Sequence, residues 1–226
     1  MQTTEMNDRP GELFDPHADF DQWDRSRPHR HQPAAICVLT MRLNDSIPAS
    51  VIEVWHRQRI DFLRRAGIAI ERDWKEGYRE LSPAMQRRFD QTFSRQREAL
   101  LDECRGECQL GNPTAANEVV CSLRKFHADR YWLGDFVIMP NHVHCLVAFR
   151  TTEIAKTQPG GWMRYSARRI NRLVGRKGVL WFPEPFDHLV RSAEQLLYLR
   201  KYIYENPMKA GLKEGSFVYH RSNGRF

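Results

Sequence analysis

Two apolar runs, YWLGDFVIM at 131–139 and HVHCLVAF at 142–149, are separated by Pro140 and Asn141 alone. No other feature of the chain restricts its fold so tightly. Pro-Asn is turn chemistry. Strands joined so closely must be antiparallel neighbours, because a parallel pair needs a crossover of about a dozen residues or more. Residues 34–43 (AAICVLTMRL) are apolar and β-branched, and they lie between Pro33 and Asn44-Asp45-Ser46. They predict a further, buried strand.

Helical spacing surrounds these strands. Residues 50–66 carry Val51, Val54, Trp55, Phe62 and Leu63 at roughly that period. Residues 82–103 begin with Ser82 as an N-cap and Pro83 at the first helical position, and place Met85, Phe89, Phe93 and Leu100 near one face. Residues 114–127 space Ala115, Val119 and Leu123 four apart. Residues 151–161 predict a polar linker around Pro159-Gly160-Gly161, and 162–174 a helix ended by Gly175 and Gly178. Residues 181–187 predict a short strand or loop. Residues 192–205 predict a helix capped by Ser192 and stopped near Pro207. Residues 1–33, rich in proline and charge, predict an extended, poorly ordered arm, and 216–226 a tail.

The formal net charge of +7 favours a polyanionic partner, either nucleic acid or an anionic membrane. No apolar run approaches the roughly 20 residues that span a bilayer. The start MQTTEMNDRP is not a signal peptide. Both points argue against a membrane and for the cytoplasm. The five cysteines are odd in number and read as free thiols. Cys104 and Cys108 hint weakly at zinc but lack a second pair.

His142-Val143-His144 carries the chemistry. Residues i and i+2 of a strand share a face, so both imidazoles project together while Val143 turns to the core. Two parallel imidazoles begin a metal site. His29-Arg30-His31 has the same spacing but sits between Pro28 and Pro33 with no predicted strand, and is assigned no ligand role. Mg²⁺ or Mn²⁺ would accept an oxygen as third ligand, and Glu205 and Asn206 are candidates. They follow Tyr198, Tyr202 and Tyr204 on one predicted helix, where Tyr198, Tyr202 and Asn206 share a face and Tyr204 turns away. Such a helix laid over the sheet presents Tyr202 as a nucleophile and Asn206 as a ligand. Tyrosine ionises only near pH 10, so a nearby cation must assist it. Lys201 and Lys209 add positive potential.

Residues 161–180 hold Arg164, Arg168, Arg169, Arg172, Arg176 and Lys177 and no acid. Arg164, Arg168 and Arg172 form a stripe suited to a phosphate backbone. Trp162, Tyr165 and Trp181 lie close enough in sequence to stack on unpaired bases.

Met139-Pro140-Asn141-His142-Val143-His144, with Tyr202-Ile203-Tyr204-Glu205-Asn206-Pro207-Met208-Lys209-Ala210-Gly211-Leu212 further along, resembles the single-tyrosine HUH transposases, and most closely the REP-associated tyrosine transposases. Trp181-Phe182, the run from Phe186 to Ser192 and the run from Thr40 to Pro48 resemble that group too, and the resemblance covers about residues 28–215. It implies a ferredoxin-like antiparallel sheet with packed helices, and His142 and His144 on a central strand as ligands for Mg²⁺ or Mn²⁺. It implies that Asn206 is the third ligand, and that Tyr202 forms a 5′-phosphotyrosine and leaves a 3′-OH. The implied partner is single-stranded DNA beside an imperfect hairpin such as a repetitive extragenic palindrome, contacted by the basic helix and Lys209. The expected organisation is one domain over 34–215, with residues 50–113 as a helical insertion that the family core does not need. Two other readings stay open: a hairpin-binding protein of the same descent that no longer cuts, and a metal-dependent hydrolase using water. Monomer and homodimer, with the tyrosine acting in cis or in trans, are equally compatible with the sequence.

Overall fold

A computed structural model describes residues 11–24, 28–70 and 73–222. The strands are β1 (Asp21–Asp24), β2 (Pro28–His31), β3 (Ile36–Arg42), β4 (Tyr131–Ile138), β5 (His142–Phe149), β6 (Phe186–Leu189) and β7 (Val218–His220). The helices are α1 (Ala49–Arg65), α2 (Trp74–Glu80), α3 (Pro83–Asp102), α4 (Pro113–Arg124), α5 (Thr152–Leu173) and α6 (Ala193–Lys209). Strands β6-β3-β5-β4-β7 form one antiparallel sheet in that order. The first four, numbered along the chain, read 4-1-3-2. With helices between, this is the ferredoxin-like arrangement expected from the sequence.

Both faces of the sheet are covered, so the period-two alternation of its strands sorts side chains between two cores. Val143, Cys145, Val147 and Phe149 of β5 join Cys37, Leu39 and Met41 of β3 against Trp162, Met163 and Ile170 of α5 and Val119 and Leu123 of α4. The alternate residues Leu146, Ala148, Ile36 and Val38 face Ile203, Leu196, Leu199 and Tyr202 of α6. In β4 the alternation breaks. Tyr131 and Leu133 share a core with Phe136 and Ile138 because a bulge between Leu133 and Phe136 inserts one residue. Asp135 at that bulge is buried and grips Arg200 of α6 through two hydrogen bonds of 2.9 and 3.1 Å. The bulge thus fixes α6 against its face of the sheet.

Helices α1, α2 and α3 pack around Leu63, Leu81, Phe89 and Phe93 as a separate small core. Ser82 accepts a bond from the Met85 N–H and Pro83 opens α3, as read from the sequence.

Three segments differ from expectation. Residues 151–161 are not a linker: α5 runs from Thr152 through Pro159. A proline inside a helix costs about 3 kcal/mol. Here the burial of Ile154, Ala155, Trp162 and Met163 against the sheet opposes that cost. Residues 11–24 and 28–33 are not a loose arm: β1 and β2 pair with each other. Glu12 brackets Ala34 and Ile36 through backbone bonds. His29 lies between Asp187 (2.6 Å) and Glu184 (2.7 Å). These partners are distant in sequence, so no local pattern announced them. Residues 1–10 lie outside the described residues. Of the expected tail, residues 218–220 form β7, which pairs with the edge of β4, and residues 223–226 lie outside the described residues. No helix among the described residues is long and apolar enough to cross a membrane.

Candidate active site

Register places the histidines at the middle of the sheet. Thr40 pairs with both His144 and Phe186, and Val137 pairs with His144, so these side chains form a row across the α6 face. That face is closed by α6, and His142 and His144 are fully buried. Their rings stand 4.6 Å apart at 78°.

The hydrogen-bond network fixes which nitrogen of His142 is free. Asn141 Nδ2 donates to the Arg105 carbonyl (3.1 Å), so Asn141 Oδ1 faces the other way and accepts from His142 Nδ1 at 2.7 Å. An amide oxygen only accepts, so the proton sits on Nδ1 and the Nε2 lone pair is bare. That Nε2 is buried with no hydrogen-bond partner among the described residues. His144 Nδ1 is held by the Thr40 hydroxyl at 2.8 Å, and His144 Nε2 lies 3.5 Å from the Tyr202 hydroxyl. Burial, with Arg97 adding to it, lowers the His144 pKa to about 3, and burial with His144 nearby pushes His142 well below its ordinary value. Both rings are therefore neutral, the state a ligand needs.

Helix α6 brings the other candidates. Tyr202 meets His144 edge to face at 5.3 Å, and Tyr198 stacks on Tyr202 from the more exposed side. Asn206, one turn on, is fully buried. Its Nδ2 donates to Asp102 Oδ1 at 3.3 Å, while its Oδ1 is buried with no hydrogen-bond partner among the described residues. Tyr204 packs on Tyr219, away from the site. Glu205, the other oxygen candidate, is occupied by Lys209 (3.1 Å) and Lys201 (3.7 Å). Lys209 also lies over the Tyr202 ring.

Among the described residues no three His, Cys, Asp or Glu side chains gather as a metal cage. The donor set here is two neutral imidazoles and one amide oxygen. Two of its atoms are buried and unsatisfied, a condition that costs about 1–3 kcal/mol each unless something fills it. A hard divalent cation with open positions fits that set. Cys104 and Cys108 offer no alternative: Cys108 Sγ donates to the Cys104 carbonyl, and both thiols are free.

Sequence reasoning missed the contribution of α3. Arg97 stacks on Phe186 at 3.5 Å, on the His144 row. Burial raises the Tyr202 pKa, and the Glu98 and Asp102 carboxylates raise it further, against an opposing effect of the Asn206 amide. Asn141, read only as a turn residue, and Thr40 also emerge as partners of the histidines. Arg97, Glu98, Asp102 and Thr40 are all distant in sequence from the residues they serve, whereas Asn141 is the immediate neighbour of His142.

The basic stretch departs most from expectation. α5 packs on the sheet face opposite α6, so its arginines are separated from Tyr202 by the sheet itself. Arg164, Arg168 and Arg172 are exposed, as is Lys177. Arg169 instead forms a two-pronged pair with Glu118 at 3.0 and 3.1 Å, and Arg176 approaches Glu107 at 3.6 Å. Trp162 and Trp181 are core residues and cannot stack on bases: Trp162 Nε1 donates to Tyr131, and Trp181 Nε1 to Ser166. Tyr165 stays exposed.

No family model and no curated protein matches the chain. Among solved structures, it is similar to a REP-associated tyrosine transposase bound to a REP hairpin. The TM-score is 0.40 and the identity 13%, over 86% of this chain and 76% of that one.

Proposed function

We propose that this chain is a metal-dependent enzyme that nicks and rejoins single-stranded DNA beside a hairpin through a 5′-phosphotyrosine at Tyr202. The observation that carries the reading is the meeting of Tyr202 with His144 Nε2 at 3.5 Å, beside the bare His142 Nε2 and Asn206 Oδ1. His142, His144 and Asn206 would hold Mg²⁺ or Mn²⁺. Such an ion, when bound, supplies positive charge that stabilises a phenolate and polarises a phosphate.

The remaining chemistry belongs to the chain. The Tyr202 oxygen forms a bond to phosphorus as the bond from phosphorus to the 3′ oxygen breaks. The released 3′ oxygen takes a proton and leaves as a 3′-OH. The phenolic proton passes to a base, for which Glu98 and Asp102, the carboxylates that act on Tyr202, are the candidates. Attack by a 3′-OH on the phosphotyrosine reverses these bonds and reseals the strand. The bond energy is conserved in the intermediate, which a water-using hydrolase cannot achieve.

One observation favours a silent hairpin binder instead. Without a cation, burial and two carboxylates hold the Tyr202 hydroxyl in its protonated form. The unsatisfied donor set weighs the other way, because a protein that only binds hairpins has no use for it.

Covalent capture decides between the readings. Protein, hairpin-bearing single-stranded oligonucleotides and Mn²⁺ are mixed and then denatured before electrophoresis. A shifted band, absent with chelator and with Tyr202→Phe, is expected. Nicking that survives Tyr202→Phe would point to water as the nucleophile. DNA bound in a native gel with no covalent band on any hairpin would leave the silent binder.

A further inference from the structure

Each proposed metal donor has a second residue that holds its far side. Asn141 holds His142, Thr40 holds His144, and Asp102 holds Asn206. The first two lie on the sheet. The third is the last residue of α3, far from the sheet in sequence.

We propose that Asp102 is the positioning residue for Asn206, and that the exit of α3 is thereby part of the metal site; this rests on the reading of Asn206 as a ligand. A carboxylate has no donor, so it can engage only the NH₂ end of the Asn206 amide. The amide is thereby turned one way round, with Nδ2 on Asp102 and Oδ1 on the opposite side, buried and bare. Tyr202 also meets the Asn206 amide, but its hydroxyl can donate or accept and so fits either end, whereas the Asp102 carboxylate accepts from the NH₂ end alone; only the oxygen end can bind a hard cation.

The same short segment braces a second donor. The Arg105 carbonyl accepts from Asn141 Nδ2, and Asn141 orients His142. Leu101 is fully buried just before it. Beyond it, the Glu107 N–H is held by Asp45 (2.8 Å) and the Leu110 N–H by the Pro140 carbonyl (3.0 Å). Residues 102–105 are therefore pinned on both sides and touch the outer partners of two of the three donors. Partners of this kind orient ligands elsewhere in metal proteins, where their loss lowers affinity about 10- to 100-fold.

The test uses the full chain and Mn²⁺ alone, with no DNA. Calorimetry gives the affinity, and water-proton relaxation gives the number of waters on the bound ion. Asp102→Asn is nearly isosteric and can meet either end of the Asn206 amide. Asp102→Ala serves as the second variant should the first melt early in chelator. We expect Asp102→Asn and Asn206→Ala each to weaken Mn²⁺ binding about 10-fold or more and to add one water to the ion. The double variant should be no weaker than Asn206→Ala alone, since both changes remove one interaction. Normal affinity and hydration in both Asp102 variants, with loss in Asn206→Ala, would overturn the positioning role and leave the ligand reading standing. Wild-type behaviour of Asn206→Ala would remove the ligand reading and this inference with it.

Discussion

The two faces of the central sheet are built from the same strands and hold different contents. Toward α4 and α5, the sheet presents Val143, Cys145, Val147 and Phe149 to other hydrocarbon. Polar groups in the middle of that core are linked in a chain, from Trp162 Nε1 to the Tyr131 hydroxyl to the Leu123 carbonyl. Toward α6, one residue over, the same β5 buries His142 and His144 beside Asn206, with His142 Nε2 and Asn206 Oδ1 lacking a hydrogen-bond partner among the described residues. The first face is made for stability. On the proposed reading, the second gives up some stability for a donor set, as functional sites commonly do. The helix outside the first face carries the exposed arginines, and the helix outside the second carries the tyrosine.

The largest break in this symmetry is catalytic: Tyr202→Phe should abolish covalent capture while leaving hairpin affinity and thermal stability nearly unchanged. Paired core substitutions separate the faces next. Trp162→Ala should cost about 3–5 kcal/mol by chemical denaturation, because it opens a cavity in the hydrocarbon face. Asn206→Leu, on the other face and without metal, should cost less, about 1–3 kcal/mol at most, since it removes an unsatisfied oxygen while leaving Asp102 Oδ1 without its donor. A heavy loss in Asn206→Leu would mean that the α6 face is as optimised as its opposite.

Acid tests each face through one histidine. Burial lowers the pKa of His31, beside Thr152 of α5, to about 4, and burial with Arg191 nearby lowers that of His188, on the α6 side, to about 4. The unfolded chain takes up these protons near pH 6.5, before the folded chain does. Stability is therefore full above about pH 6.5 and declines as pH falls toward 4. Replacing either histidine with Gln should flatten the decline between those values, measured by urea midpoints across pH. An unchanged slope in both variants would place acid sensitivity elsewhere.

The smallest effect concerns DNA. If the α5 face contacts the backbone, the triple variant Arg164→Ala, Arg168→Ala, Arg172→Ala should reduce the slope of log affinity against log salt by about 0.7 per lost contact with single strands. Thermal stability should not move, because all three side chains are exposed. No change in slope would confine DNA to the α6 face and sharpen the division between a structural and a functional side.

How far the sequence reached differs between fold and site. The tight Pro140-Asn141 connection dictated antiparallel β4 and β5, and they pair as expected. The helix phase put Tyr202 and Asn206 on one face, and α6 keeps them there. Ser192 caps α6 and Ser82 caps α3 by the bonds their side chains are suited to make. The tryptophans went wrong because proximity to arginines in sequence does not tell which face of a helix is buried. The β4 bulge was invisible because Gly134 and Asp135 disturb the alternation by a single residue, which only the partner strand reveals.

The sequence by itself determined what depends on near neighbours: turn, strand pair, caps, and the side chains that share a face. Those follow from backbone geometry repeating every two or 3.6 residues. Tertiary structure alone decided which helix covers which face, that Asp102 reaches Asn206 across 104 positions, and that the arginine stripe lies behind the sheet. Such contacts form where burying apolar area outweighs the entropy of closing long loops. That balance is struck over the whole chain, and no local spacing encodes it.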